Sequence, residues 1–284
     1  MLTVPKELEK LPIIASVSGG KDSTALVLAL RESGIEFRMV FADTGWEAPE
    51  TYEYIETLRT KIGPIDVVGA PGGMEARAMS RAGFPARMQR WCTRELKIKP
   101  IRSYHDAIGG DTVSAVGIRA DESESRAKMS EVEDSHEWGG YVWRPLIRWS
   151  IADVLGIMQR HGVPVNPLYK RGHNRVGCFP CIFASKEEIR LVAEHSPETI
   201  DRMRDLEERT TAERAKRNAE TPGRYAHDKS VFFQTRVPGL VMGIDEIVSW
   251  SRTSRGGHQL QLLQEPPSGG CFRWGLCERA EKNE

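Results

Sequence analysis

Hydrophobic and polar positions alternate between two periods over the first 165 residues of the chain. Short apolar runs, typical of buried strands, occur at 13–17, 37–41, 65–68 and 112–116. Between them apolar residues recur with the period of a helix, which predicts helices after residue 21, over 50–61, over 96–108 and over 150–161. This alternation predicts βαβ units and an α/β fold with a largely parallel sheet flanked by helices.

The pattern changes near residue 165, where a glycine and two prolines between 162 and 167 indicate the end of the regular region. We therefore expect an α/β domain over 1–165 and a helical, cysteine-containing region over 166–284. Residues 183–220 are rich in both charges and helical in period, which predicts a solvated helical pair; a nucleic-acid surface is the alternative interpretation. Beyond residue 220 glycine, proline, serine and arginine predominate.

Composition narrows the class of protein. The 284 residues are 39% hydrophobic and 28% charged, with a formal net charge of zero, so no global electrostatic argument favours a nucleic acid or a membrane. The amino terminus has no apolar signal core and no apolar run is long enough to span a bilayer, which predicts a cytoplasmic protein without a membrane partner. Five cysteines in a reducing compartment indicate metal or redox chemistry rather than disulfides.

The strongest candidate for chemistry lies between the first predicted strand and helix, in the stretch Ser18-Gly19-Gly20-Lys21-Asp22-Ser23. Paired glycines let backbone N–H groups turn toward an anion, the helix start adds its positive dipole end, and the lysine adds a point charge. The pattern predicts a phosphate cradle, with an ordinary glycine-rich turn as the alternative. It is not a Walker A loop, because Ala15 replaces the first glycine and Asp22 follows the lysine.

Two further loops follow predicted strands of the same sheet, so we expect them to meet the glycine-rich loop in one crevice. Asp43, followed by Thr44 and Gly45, can accept hydrogen bonds from a ribose or an adenine edge, or can cap the next helix. After Gly117, Arg119 and Arg126 can clamp phosphate or sulfate oxygens; the alternative is a loop ion pair with Asp121 or Glu122.

The cysteines form the second candidate site. Thiolates are soft ligands suited to iron–sulfur clusters or zinc, and such a site typically has four ligands. Cys92, Cys178 and Cys181 supply three, and Cys271 or Cys277 can supply the fourth. The absence of a histidine pair argues against a zinc finger, so an iron–sulfur cluster is the leading interpretation, ahead of structural zinc and of thiols without a metal.

Several segments carry a family resemblance. The stretch from Ser18 to Ser23 resembles the PP-loop of ATP pyrophosphatases, which cleave ATP between the α- and β-phosphates. In family order, residues 41–51, 117–126, 143–149 and 166–169 look like successive motifs of the phosphoadenosine phosphosulfate (PAPS) reductase family, over roughly 13–182. The resemblance implies an adenine-nucleotide α-hydrolase-like fold that binds ATP or an adenylyl sulfate.

The cysteine segments resemble the cluster-binding segments of the assimilatory sulfonucleotide reductases, with two departures. Those reductases carry adjacent cysteines where this chain has Trp91 beside Cys92, and they end in a Glu-Cys-Gly-hydrophobic-His segment that this chain lacks. The pattern looks more like the iron–sulfur PAPS reductase-like ATP pyrophosphatases of DNA phosphorothioation and related phage proteins.

This resemblance implies an enzyme that binds Mg-ATP, releases pyrophosphate and adenylylates an acceptor for sulfur transfer. Its cofactors would be ATP, Mg²⁺ and a 4Fe–4S cluster, and its partners a sulfur donor such as a cysteine desulfurase, a nucleic-acid acceptor and modification-complex subunits. The expected catalytic residues are Lys21, Asp22, Arg119 and Cys271; the expected metal ligands are Cys92, Cys178, Cys181 and Cys277. The expected nucleotide-binding residues are Ser18, Gly19, Gly20, Lys21, Asp22, Ser23, Asp43, Thr44, Gly117, Arg119 and Arg126.

Two alternatives stay open at this point. One is a sulfonucleotide reductase that uses Cys271 or Cys277 as its nucleophile. The other is a non-catalytic nucleotide-sensing subunit of a modification or defence complex, against which the intact lysine of the PP-loop argues.

Overall fold

The computed structural model describes residues 1–135, 140–234 and 240–253. The chain divides into two compact units. The first unit comprises Met1–Ala70, Arg94–Tyr169 and Arg175–Gly177; the second comprises Pro71–Thr93, Lys170–Asn174 and Cys178–Glu284. The division differs from the predicted boundary after residue 165, because Pro71–Thr93 belongs to the second unit although it lies between two strands of the first.

The described strands of the first unit form one six-stranded sheet in the order β3-β2-β1-β4-β6-β5. All neighbours are parallel except β5 and β6, which are antiparallel. The strands are β1 Ile13–Ser16, β2 Arg38–Asp43, β3 Ile65–Gly69, β4 Thr112–Ala115, β5 Val132–Ser135 and β6 Gly140–Trp143.

The longer helices are α1 Lys21–Glu32, α2 Pro49–Lys61, α3 Gly73–Arg81, α4 Lys99–Ile108, α5 Ile151–Arg160, α6 Lys186–His195, α7 Pro197–Glu220 and α8 Ile244–Ser251. Short helical turns occur at Lys6–Leu8, Trp91–Thr93, Ala120–Glu122, Glu124–Ala127 and Pro167–Lys170, and a π-helical turn at Arg94–Ile98. The predicted α/β fold is confirmed, with each predicted strand and helix present within a few residues of its expected bounds.

The core explains why the hydrophobic pattern predicted the strands and helices of the first unit. β4 is buried along its whole length and β1 almost so, which produces the continuous apolar runs of a sheet covered on both faces. α1 is buried from Ser23 to Leu30, as expected for a helix enclosed on all sides, and it packs against α5. β1 lies between β2 and β4 in the sheet. The connections on the two sides of β1 therefore run in opposite directions, and a crevice forms between them at the carboxyl end of β1.

The second unit contains the predicted helical pair, α6 and α7. Ser185 caps α6 in a capping box with Glu188, and α7 buries one stripe that includes Ile200, Met203 and Leu206. α8, which the composition of the region did not predict, packs against α6 and α7. Among the described residues, no helix combines the length and the apolar character needed to cross a bilayer.

Candidate functional site

The glycine-rich loop is built by hydrogen bonds within itself. The Ser23 hydroxyl lies 3.1 Å from the Ser18 backbone nitrogen and 3.0 Å from the Gly20 carbonyl oxygen. Gly19 has a φ of +74°, and a Cβ there would lie 2.9 Å from the Thr51 methyl carbon. Only glycine adopts this conformation in this space without strain. The turn at the amino end of α1 therefore requires glycine at position 19.

Lys21 and Arg119 meet at a single carboxylate, that of Asp22. The Lys21 ammonium lies 2.8 Å from Asp22 Oδ2, and Arg119 Nε lies 2.6 Å from Asp22 Oδ1. Burial alone would lower the pKa of the Arg119 guanidinium, but its hydrogen bond to Asp22 and the charges of Asp22 and Asp121 raise it. Two cations are therefore fixed at the start of α1, where the helix dipole also favours an anion.

Asp22 was predicted as a catalytic residue that helps to position Mg²⁺. Both of its carboxylate oxygens accept from cations in this structure, and its visible role is to hold Lys21 and Arg119 in place. A role toward Mg²⁺ remains a prediction.

The loop after β4 approaches α1 closely at Gly117. A Cβ at this position would lie 2.6 Å from the Asp22 carbonyl oxygen and 2.9 Å from the Ser23 nitrogen. Real Cβ atoms do not come this close to backbone atoms, so glycine is required here for packing. The same approach brings Arg119 to Asp22 across 97 positions of sequence.

The structure shows Arg119 and Arg126 in ion pairs. Arg119 is 4% exposed and its Nη1 lies 2.6 Å from Asp121 Oδ1, while Arg126 pairs with Glu122. These are the loop ion pairs of the alternative interpretation. Clamping of an anion by either arginine remains a prediction.

The loop after β2 is organised by two carboxylates. Asp43 Oδ1 accepts hydrogen bonds from the Gly45 nitrogen at 2.8 Å and the Tyr52 hydroxyl at 2.9 Å. Burial, the hydrogen bond to Asp43 and the charge of Glu47 all raise the pKa of Tyr52, which keeps its phenol neutral. Asp43 therefore orders its own loop, and its expected contact with a nucleoside is not tested by these contacts.

Glu47 is a site residue that sequence reasoning missed. It is buried, and it accepts from the Thr44 nitrogen at 3.1 Å, the Thr44 hydroxyl at 2.7 Å and the Trp46 nitrogen at 3.2 Å. The sequence feature that could have predicted Glu47 is an acidic residue in a glycine-containing turn after a strand. Short loops leave backbone N–H groups without a partner, and a carboxylate can accept hydrogen bonds from them.

Tyr169 and Asn166 support the glycine-rich loop from a distant part of the first unit. The Tyr169 hydroxyl accepts from the Lys21 nitrogen at 3.2 Å, and the Lys21 ammonium lies 5.6 Å from the centre of the Tyr169 ring. The Asn166 amide donates to the Gly19 carbonyl oxygen at 3.2 Å. The family motif at 166–169 contains both residues, but the sequence does not predict that they hold the loop.

A cavity of about 170 Å³ opens at the carboxyl ends of β1, β2 and β4. Its walls include Ser18, Phe41, Glu47, Lys97 and Val116. Pockets that enclose a whole drug-sized ligand measure roughly 300–1,000 Å³. This cavity can therefore enclose only part of a nucleotide.

The second unit contains the three described cysteines. Cys92, Cys178 and Cys181 are all half-buried, and Cys92 lies in the helical turn Trp91–Thr93. Burial raises the pKa of the Cys92 thiol, and the charges of Cys178 and, more weakly, Cys181 raise it further. Cys92 is more than 80 residues from the other two thiols in sequence.

The donor type of these residues fits a soft metal or an iron–sulfur cluster. Within the residues described, however, no three His, Cys, Asp or Glu side chains form a group that could hold a metal ion. Cys271 and Cys277, the predicted catalytic cysteine and fourth ligand, lie outside the described residues.

Comparison with known proteins places the chain in a family. Residues 12–184 match the phosphoadenosine phosphosulfate reductase domain, and the chain belongs to this family, as the motifs predicted. Together with the sheet order, this membership confirms the adenine-nucleotide α-hydrolase-like (PP-loop) fold.

Individual relatives extend the comparison. An uncharacterized 37.8 kDa protein of Escherichia phage 186 is 31% identical over 88% of this chain and 91% of its own length. The adenosine 5'-phosphosulfate reductase of Allochromatium vinosum is 30% identical over 63% of this chain and 70% of its own length. Two uncharacterized proteins of Methanocaldococcus jannaschii are longer, and the chain spans 42% and 47% of their lengths.

Among solved structures, a PAPS reductase from Candida auris in a phosphate complex aligns with a TM-score of 0.49 and 17% identity. The alignment covers 61% of this chain and 84% of that one.

Proposed function

We propose that this protein is a PP-loop ATP pyrophosphatase that adenylylates an oxygen of a nucleic acid so that sulfur can replace it. The observation that carries the proposal is the pair of buried cations, Lys21 and Arg119, fixed on Asp22 at the amino end of α1. This arrangement suits the transfer of a nucleotidyl group, because charge develops on the departing pyrophosphate and fixed donors stabilise it.

In the proposed reaction the acceptor oxygen attacks the α-phosphorus of ATP, and the bond to the β-phosphate oxygen breaks. Lys21 and the amides of Gly19 and Gly20 would bind the pyrophosphate that leaves. A persulfide sulfur, delivered by a donor such as a cysteine desulfurase and reduced with two electrons from a thiol reductant, then replaces the oxygen, which departs with AMP. Arg119 would donate hydrogen bonds to the phosphate oxygens once its hydrogen bond to Asp22 opens.

The thiols of the second unit would hold an iron–sulfur cluster. Cys92, Cys178 and Cys181 would supply three ligands, and Cys271 or Cys277 the fourth. When bound, such a cluster would supply redox chemistry for sulfur transfer.

The first test of the proposal identifies the products of ATP. Anaerobic incubation of radiolabelled ATP with nucleic acid, a sulfur donor and a thiol reductant should yield AMP, pyrophosphate and a thiolated product detectable by mass spectrometry. Release of ADP and phosphate by the wild-type protein would exclude pyrophosphatase chemistry.

The second test concerns the metal. Protein purified without oxygen should contain iron and sulfide, and serine at Cys178 or Cys181 should abolish both, because a neutral hydroxyl is a poor ligand for iron. Comparing Cys271→Ser with Cys277→Ser should identify the fourth ligand. Stoichiometric zinc without iron would refute the cluster.

A sulfonucleotide reductase is the second candidate, and the similarity to the Allochromatium vinosum enzyme favours it. A reductase attacks the sulfate sulfur with a mobile thiolate that must be free of the cluster. Reduced thioredoxin with adenylyl sulfate or PAPS would then release sulfite, and mutation of Cys271 or Cys277 would stop it. We expect no sulfite above background.

A further inference from the structure

Although the net charge of the chain is zero, the stretches of sequence that carry the described thiols contain more basic than acidic residues. Residues 76–93, which include Cys92, contain no aspartate or glutamate, and their charged residues are Arg77, Arg81, Arg87 and Arg90. Residues 170–174 and 178–186, which include the other two described thiols, are likewise free of carboxylates and carry Lys170, Arg171 and Lys186. All of these segments belong to the second unit.

Within this region, two exposed arginines share one aromatic ring. The guanidinium carbon of Arg87 lies 5.6 Å from the centre of the Phe183 ring, and that of Arg90 lies 5.3 Å from it. Arg90 also donates to the Thr93 hydroxyl at 3.4 Å. We call Arg87, Arg90 and Phe183 the Arg87–Arg90 surface.

These arginines differ from others of the same unit. Arg204 pairs with Asp245 at 2.7 Å and Arg209 with Asp205 at 2.7 Å. Over the described stretches of the chain, Arg87 and Arg90 contact the Phe183 ring and Arg90 also contacts the Thr93 hydroxyl, and neither contact neutralises the positive charge.

The geometry points to the phosphate backbone of single-stranded nucleic acid as the ligand of this surface. Arginine donors bind phosphate oxygens through charge-assisted hydrogen bonds, and contact with one ring keeps the two guanidiniums near each other before binding. Single-stranded nucleic acid offers both phosphates and unpaired bases, and an arginine can bind the phosphates through hydrogen bonds and stack its planar guanidinium on the bases.

The position of this surface along the chain gives it a role. Arg90 lies two residues before Cys92, and Phe183 lies two residues after Cys181. This inference rests on the proposed function: the Arg87–Arg90 surface holds the acceptor strand beside the segments that carry the thiols.

The test measures binding against salt concentration. A fluorescein-labelled single-stranded DNA of about 20 nucleotides, the RNA of the same sequence and a DNA duplex are titrated by fluorescence anisotropy. The slope of log K against log salt counts about 0.7 for each phosphate contact on a single strand, so Arg87→Gln/Arg90→Gln should reduce it by about 1.4. At 0.1 M salt this corresponds to roughly 25-fold weaker binding.

Two matched variants make the result specific. Arg204→Gln/Arg209→Gln removes the same charge from exposed, paired arginines of the same unit and should leave the slope unchanged. Arg87→Lys/Arg90→Lys keeps the charge and should retain most of the slope, which excludes misfolding as the cause. The single-stranded DNA and RNA arms identify the acceptor strand.

Several outcomes would overturn the inference. They are an unchanged slope in Arg87→Gln/Arg90→Gln, an equal loss in the Arg204/Arg209 control, or tighter binding of the duplex than of either single strand. Conversion of ATP to AMP by the wild type is measured in parallel with nucleic acid, the sulfur donor and the thiol reductant all present. Binding with the expected slope but no AMP would refute the proposed function alone, whereas AMP formation together with an unchanged slope in Arg87→Gln/Arg90→Gln would refute this surface alone.

Discussion

In the first unit, Lys21 and Arg119 are buried and share the carboxylate of Asp22, whereas in the second unit Arg87 and Arg90 are exposed and share the ring of Phe183. A buried cation needs a partner, because an unpaired charge in a low dielectric is costly. An exposed cation is already solvated and can stay available. The difference matches the two proposals, in which the first unit binds a small anion at a fixed point and the second unit binds an extended and variable one.

The largest effect is expected from removing one of the two buried cations of the first unit. Lys21→Ala should lower the rate of ATP cleavage by about 10²–10³-fold, the loss typical of removing one preorganised charge donor. Single-turnover conversion of labelled ATP to AMP measures it. Lys61→Ala, which removes an exposed lysine at the end of α2, should leave the rate unchanged. A rate for Lys21→Ala within threefold of the wild type would mean that Lys21 does not act on the phosphates.

Next in size is a change of packing at the same site. Gly117→Ala places a methyl group against the backbone of Asp22 and Ser23, and overpacking of this kind costs about 1–3 kcal/mol of unfolding free energy. Chemical denaturation measures it, and ATP cleavage should fall with it because α1 must shift.

Gly156→Ala is the matched control for this substitution. Gly156 lies within α5, and the nearest neighbour of an added Cβ would be Arg160 Nη1 at 4.0 Å. Alanine should stabilise the helix there by about 0.5–1 kcal/mol. Equal destabilisation by the two substitutions would contradict the close approach at Gly117.

The two units also differ in how far their sequence predicted them. β1, β2 and β4 were predicted because their buried central positions appear as continuous apolar runs. β3 is an edge strand with several exposed positions, but it keeps the apolar residues Ile65, Val67 and Val68. β5, the other edge strand, was not predicted, because it contains Glu133 and Asp134. The assignment of Pro71–Thr93 to the second unit depends on contacts with distant segments, which no local pattern records.

The candidate site follows the same rule. The residues of the glycine-rich loop are contiguous, so their spacing alone predicted a phosphate cradle. The pairing of Asp22 with Arg119 joins residues 97 positions apart, and local spacing suggested only Asp121 or Glu122 as partners. Glu47 was not predicted because it accepts hydrogen bonds from backbone N–H groups. Almost every residue carries such a group, so the sequence does not indicate which ones need an acceptor.

A smaller effect tests the packing of the second unit. Glu207 is buried in α7 and accepts from the Phe232 nitrogen at 2.8 Å and the Ile244 nitrogen at 2.9 Å. Glu207→Gln replaces one acceptor by a donor that faces an N–H group, and should cost about 1–2 kcal/mol of unfolding free energy at pH 7. Glu208→Gln, at the exposed neighbouring position, should have no effect.

The pH dependence sharpens this prediction. Burial raises the pKa of Glu207, against the opposing effect of its two backbone hydrogen bonds and Lys229. Because the folded-state pKa lies above the unfolded value, its contribution to stability is complete below the unfolded pKa and is lost as pH rises through the folded one. Denaturation of the wild type between pH 4 and 8 should show this decline, and Glu207→Gln should lack it. A decline of equal size in both proteins would assign it to another group.

The smallest effect examines whether the thiols of the second unit are neighbours in the metal-free protein. The pKa of Cys92 is raised by burial and then by the charges of Cys178 and, more weakly, Cys181. Alkylation by iodoacetamide needs the thiolate, so the rate at Cys92 should rise with pH, with a midpoint above that of an ordinary thiol. Cys178→Ser removes the thiol with the larger electrostatic effect on Cys92 and should speed alkylation of Cys92 at a given pH, and Cys181→Ser should do so to a lesser extent. Peptide mass spectrometry of protein kept anaerobic and treated with chelator measures the three rates. If neither substitution changed the rate at Cys92, the thiols would not interact, and the common ligand set proposed for them would lose its structural support.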